Sequence, residues 1–126
     1  MEKGLSVTSA EWPVMELLWQ SPRTLMELVN DLTERMGWSK STITTMVRRM
    51  DDKGLISFRT EGRTKIFCPA VSREEVTTRE TDSLLNRAYN GSLGLLVNAM
   101  AQSNRLTQAD IDELYAILKE AEEGLQ

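Results

Sequence analysis

The sequence has no histidine and one cysteine, Cys68, among 126 residues. A lone thiol cannot close an internal disulfide, and without histidine or further cysteines no familiar zinc constellation can be assembled. A serine or cysteine nucleophile also lacks its usual base, so base-dependent hydrolysis is the first activity excluded. There is no phosphate-binding glycine loop, and Gly91 to Gly94 reads as a turn between helices. No stretch reaches the roughly 18 apolar residues that span a bilayer, and Met1 to Ser6 shows no apolar signal-peptide core. The expectation is a protein of the reducing cytoplasm with no membrane partner, not an enzyme, carrying neither metal nor cofactor.

Aromatic residues are sparse, at 6%. Only Phe58 and Phe67 fall on predicted strands, which leaves no sheet face of aromatics interleaved with cations on which single-stranded nucleic acid could stack. Trp12, Trp19 and Trp38 read as core or interface anchors, and the methionines, at helical spacing, as core filling rather than a soft-metal box. Cys68, beside Pro69 on a strand, reads as a small packed residue.

Positive charge is short as well, with a net charge of −4, which taken whole argues against nucleic acid. Its distribution argues otherwise. Met1 to Trp38 carries three basic and six acidic residues, Ser39 to Arg73 eight basic and three acidic, and Glu74 to Gln126 four basic and ten acidic. The middle segment is therefore +5, flanked by segments of −3 and −6. Charge alone fits an ordinary solvated face equally well.

The basic segment is more specific than its charge. Ser39 caps a helix that ends at Gly54, and helical residues turn by about 100 degrees each. Ser41, Thr44, Thr45 and Arg48 thus share one arc, with Ile43, Met46, Val47 and Met50 opposite. One face is built for burial. Capping does not account for Thr44 and Thr45, since β-branched residues weaken an exposed helix interior. Their methyls can meet thymine methyls, their hydroxyls base edges or phosphates, and Arg48 a guanine or a phosphate. Asp51 and Asp52 oppose this at the far end of the helix. Strands at Leu55 to Thr60 and Thr64 to Cys68 follow, joined at Glu61-Gly62-Arg63, and add Arg59, Arg63 and Lys65. The pattern is that of a DNA-recognition helix followed by a wing.

Helix starts are marked by four capping boxes: Thr8 with Glu11, Thr24 with Glu27, Ser72 with Glu75 and Thr107 with Asp110. The predicted helices run from about Ser9 to Trp19, with a local distortion or a missing backbone bond at Pro13, then Leu25 to Met36, Ser39 to Gly54, Arg73 to Tyr89, Leu93 to Gln102 and Gln108 to Glu123. The expected architecture is mainly α: a winged helix-turn-helix domain with a short β-hairpin wing over residues 1–71, and a helical dimerisation domain over 72–126. In the latter, Leu84, Leu85, Tyr89, Leu93, Leu96, Val97, Met100, Ile111, Leu114 and Leu118 are more apolar groups than a tail of roughly 50 residues can bury alone. Pairing with a second copy would cover them, and so would folding back on the first domain.

Ala10-Glu11-Trp12 with Val14-Met15 and Leu18-Trp19, Thr42 to Met50, Lys53-Gly54-Leu55-Ile56, Gly62-Arg63 and Phe67 with Pro69 resemble the penicillinase-repressor family of BlaI, MecI and CopY types. Ser72 with Glu75, Tyr89-Asn90-Gly91-Ser92 and Ile111 to Leu118 extend the resemblance over nearly the whole chain. It implies a homodimeric repressor on double-stranded DNA with a palindromic operator. Lys40, Ser41, Thr42, Thr44, Thr45 and Arg48 become candidate contacts of the recognition helix, and Arg63 and Lys65 those of the wing. Thr44 stands where β-lactam-responsive relatives carry a basic residue, so their operator sequence does not transfer. Those relatives are released by a membrane-linked protease cutting an Asn-Phe bond; Ala99-Met100 aligns there, with Asn98 one residue early. Nothing after Cys68 could supply the cysteine-rich motif of the copper-responsive members. A rival reading is a winged-helix protein-interaction module whose Thr44, Thr45 and hairpin face another protein.

Overall fold

A computed structural model describes residues 6–125. The signal-peptide reading of Met1 to Leu5, and Gln126 at the end of the second domain, lie outside them. The elements in order are α1 (Trp12–Gln20), β1 (Arg23–Thr24), α2 (Leu25–Met36), α3 (Lys40–Lys53), β2 (Ile56–Glu61), β3 (Thr64–Pro69), α4 (Arg73–Ala88), α5 (Leu93–Gln102) and α6 (Gln108–Gly124). The chain divides into two compact units, one ending at Thr81 and the other beginning at Asp82.

All four capping boxes form. In the first, Thr8 N–H donates to the Glu11 carboxylate at 3.0 Å and Glu11 N–H to the Thr8 hydroxyl at 3.3 Å. The box encloses a turn that precedes α1, and the helix begins at Trp12, three residues later than the predicted Ser9. Pro13 consequently lies in the first turn, where its missing N–H has no intrahelical acceptor to lose. The bounds of α2 and of α3 match the prediction, because Gly37 (φ 74°) and Gly54 (φ 84°) stop them in the left-handed conformation that other residues resist.

The sheet has order β1-β3-β2, antiparallel throughout, with Phe58 opposite Phe67 and Arg23 opposite Phe67 on the other side. Strand β1 was not anticipated, since two residues carry no alternation to read. The hairpin strands also run one residue further than predicted at each C-terminal end. Leu55 is left out of β2 and serves the core instead, fully buried, its N–H donating to the Met50 carbonyl at 3.0 Å.

The core belongs to the first unit. Val14, Met15, Leu17 and Leu18 of α1 meet Leu28, Val29 and Leu32 of α2, Ile43, Val47 and Met50 of α3, and Leu55, Ile56, Phe67, Val71 and Val76. Burying each of these large side chains contributes about 1.5 to 3 kcal/mol. Trp19 closes one edge, its indole N–H donating to the Val71 carbonyl at 3.0 Å. The Arg73 guanidinium lies 4.6 Å from the same ring and pairs with Glu16, which ties the start of α4 to α1.

The beginning of α1 is tied to the end of α3 by Glu11, buried, whose carboxylate accepts from Lys53 Nζ at 2.8 Å. Burial pushes the Glu11 carboxyl up, but the Lys53 hydrogen bond, the Thr8 bonds and the ammonium charge together carry it below the ordinary carboxylate value. A depressed carboxylate contributes stability that is present above its unfolded-state value and lost as pH falls through its folded-state value. Glu11→Gln should therefore cost about 1 to 2 kcal/mol at pH 7. In denaturant titrations the gap to the unsubstituted protein should close in acid below the carboxylate range. A gap that stays constant with pH would show that the charge contributes nothing.

The second unit comprises the end of α4 with α5 and α6, and no residue of α5 or α6 is buried. Ser92 caps α5, its hydroxyl accepting from Leu95 N–H at 3.1 Å, and Thr107 caps α6 through the fourth box. Helix α4 stops at Ala88 rather than Tyr89, with Asn90 and Gly91 left-handed behind it.

Candidate nucleic-acid interface

Helix α3 is anchored by Ile43, Val47 and Met50, which are buried, so its opposite arc is turned outward. Lys40, Ser41, Thr42, Thr45 and Arg48 are exposed, and Thr44 is half-buried. On the wing, Arg63 and Lys65 are exposed.

These residues divide between two grooves. Thr44, Arg48, Arg63 and Lys65 line one of about 660 Å³, between α3, the start of α2 and the wing. Ser41, Thr42 and Thr45 line another of about 530 Å³, with Thr8 and Glu11 across from them. Lys40 lines neither. The helix that was expected to enter a duplex groove is thus a ridge with a furrow on each side. A basic residue missed by sequence reasoning, Arg49, lies in the second furrow and is exposed. It sits four residues beyond Thr45 and eight beyond Ser41, so the helical wheel could have found it.

The cations differ in how they are held. Lys65 Nζ rests 4.4 Å from the centre of the Phe58 ring, which in turn lies 5.8 Å from the Phe67 ring. Arg59 pairs with Glu61 at 3.1 Å on the exposed hairpin, and Lys53 is held by Glu11. Lys40, Arg48, Arg49 and Arg63 make no ion pair among the described residues. They are available to phosphate or guanine without first breaking a contact. Asp51 lines the first furrow and Asp52 is exposed, so the C-terminal end of α3 is the less favourable for DNA.

In the second unit Leu84, Leu93, Val97, Met100 and Leu118 are exposed, while Leu85, Tyr89, Leu96, Ile111 and Leu114 are half-buried. Leu95, Tyr115, Ile117 and Leu125 add further exposed apolar surface. The Ala99-Met100 bond lies inside α5, its carbonyls accepting from Ser103 and Arg105 N–H at 3.1 Å each. Among the described residues no group of three metal-ligating side chains gathers, and no helix is long and apolar enough to cross a membrane.

The sequence profile of the family described as penicillinase repressor matches residues 7–120. The penicillinase repressor of Bacillus licheniformis is 33% identical over 121 residues, 95% of this chain and 94% of that protein. The methicillin resistance regulatory protein MecI of Staphylococcus aureus is 26% identical over 92% of this chain and 95% of its own. Among solved structures, the DNA binding domain of the repressor BlaI aligns with a TM-score of 0.53 at 30% identity, over 60% of this chain and 93% of that domain. With three helices, a two-stranded wing and an outward-facing α3 in place, the chain belongs to the penicillinase repressor family and carries its winged-helix DNA-binding fold.

Proposed function

We propose that the protein is a homodimeric transcriptional repressor of the cytoplasm that silences a promoter by occupying a dyad-symmetric operator. The observation that carries this reading is α3 itself: a helix fixed to the core by one face, with small hydroxyls and unpaired guanidinium groups on the other and a basic wing beside it. Its geometry suits insertion into a major groove, the wing meeting the flanking backbone. The apolar surface left on α5 and α6 supports the dimer, since two reading heads on a dyad need a partner surface of this kind. No catalytic step is assigned to the chain. Relief of repression would act on the second unit, by cleavage, for which Ala99-Met100 is the aligned position although it lacks the Asn-Phe pair, or by rearrangement of its helices. Cleavage there requires α5 to unwind first, because both residues are within its hydrogen-bonded backbone.

Footprinting on the DNA upstream of the protein's own gene, repeated at two salt concentrations, tests the reading. Two protected half-sites related by a dyad are expected. Affinity should fall steeply with salt, log K dropping by roughly 0.9 per log unit of salt for each phosphate neutralised. Failure to retain any duplex at low salt, together with capture of a protein through α3 and the hairpin, would favour the interaction-module reading.

A further inference from the structure

We propose that Thr44 selects a base through its methyl group, packed against the C5-methyl of a thymine, and that the hydrogen bonding of this part of α3 falls to Thr45; the proposal rests on the DNA-binding reading above. The two threonines are adjacent and chemically identical, but the structure uses them differently. The Thr44 hydroxyl donates to the Lys40 carbonyl at 2.8 Å, so its proton is committed within the preceding turn of the helix. The hydroxyl of Thr45 has no hydrogen-bond partner among the described residues. Nearer the start of α3 the hydroxyls are also engaged: Ser39 donates to Thr42 Oγ1 at 3.0 Å and lies 3.2 Å from Ser41 Oγ. Towards a ligand Thr44 can then no longer donate; its Oγ1 can only accept, which leaves its methyl for an apolar contact.

Its surroundings agree with that. The furrow that Thr44 lines includes Met26, Val47 and Phe58, and Met26 and Phe58 are 49% and 40% exposed. The apolar side chains beside Thr44 form a lining that a base edge carrying a methyl would fill, with Arg48, Arg63 and Lys65 alongside as cations for a flanking backbone and Asp51 as the one carboxylate among them. In the major groove the C5-methyl of thymine is the one apolar feature that distinguishes base pairs.

The experiment uses the upstream duplex protected by the full-length protein, with thymines replaced one at a time by deoxyuridine, which removes the methyl and nothing else. At one dyad-related position the replacement should weaken binding about three- to tenfold, the scale of burying one methyl against another. Thr44→Val, which keeps shape and methyl, should still bind the thymine duplex three- to tenfold more tightly than the uracil duplex at that position. Thr44→Ser, which keeps only the hydroxyl, should bind three- to tenfold more weakly and no longer distinguish thymine from uracil at that position. Full affinity in Thr44→Ser with a loss in Thr44→Val would overturn the proposal in favour of a hydroxyl contact. Tight binding by the unsubstituted protein with no sensitivity to uracil anywhere would also overturn it. Absence of binding to any upstream duplex would instead remove the DNA-binding reading itself.

Discussion

Leu118→Glu should convert the protein to a monomer and weaken operator binding by about 10² to 10⁴, the advantage a second linked binding head confers. Leu118 is 59% exposed on α6, with Tyr115 at 71% and Ile117 at 54% beside it, and no residue of that helix is buried. A lone chain gains nothing from keeping such a surface in water, whereas a two-fold pair buries it twice. Burying a carboxylate in that apolar surface carries a desolvation cost in each copy, and it joins Glu122 on the same hollow. Sedimentation velocity reads the oligomer and footprinting reads the affinity. Thermal unfolding of the first unit should be unaffected, since Leu118 contributes nothing to its core. A variant that remains dimeric and protects both half-sites would remove α6 from the interface.

Why some features were legible in the sequence and others were not follows from the range over which each is determined. A capping box requires two side chains three residues apart, and all four of these formed. Gly37 and Gly54 terminate α2 and α3 by a conformation that depends only on the residue present. The burial of Ile43, Val47 and Met50 against the exposure of Ser41, Thr45 and Arg48 is a period of 3.6 made visible. Competition between local signals was harder to resolve: the Thr8 box and Pro13 both bear on α1, and only the structure shows that the box encloses a turn before the helix. Strand β1 exists because Arg23 and Thr24 happen to lie beside β3, a tertiary fact with no sequence period. Within the interface, residue types were readable, but the division between two furrows and the different hydroxyl partners of Thr44 and Thr45 depend on distances.

Ile43→Ala, on the buried side of α3, should destabilise the first unit by about 2 to 5 kcal/mol, the range for emptying a buried aliphatic site. Ile43 is fully buried, one turn before Val47 and two before Met50 on the inward side of α3, within the core cluster of the first unit, so little can collapse into the space it leaves. A loss of that size is a large share of the roughly 5 to 15 kcal/mol that holds a domain of this kind together. It should appear as a lower denaturation midpoint with an unchanged slope in denaturant. Its effect on DNA binding distinguishes it from changes on the outward arc. Below its melting range, the variant should keep its preference among thymine- and uracil-bearing duplexes and its dependence on salt, because the outward arc of α3 and the wing are unchanged. Apparent affinity should fall only as temperature or denaturant unfolds the reading head. If Ile43→Ala instead altered base preference while leaving stability within about 0.5 kcal/mol, the scale of an ordinary surface change, the inward face of α3 would not be its anchor, and the orientation assigned to the recognition arc would have to be reversed.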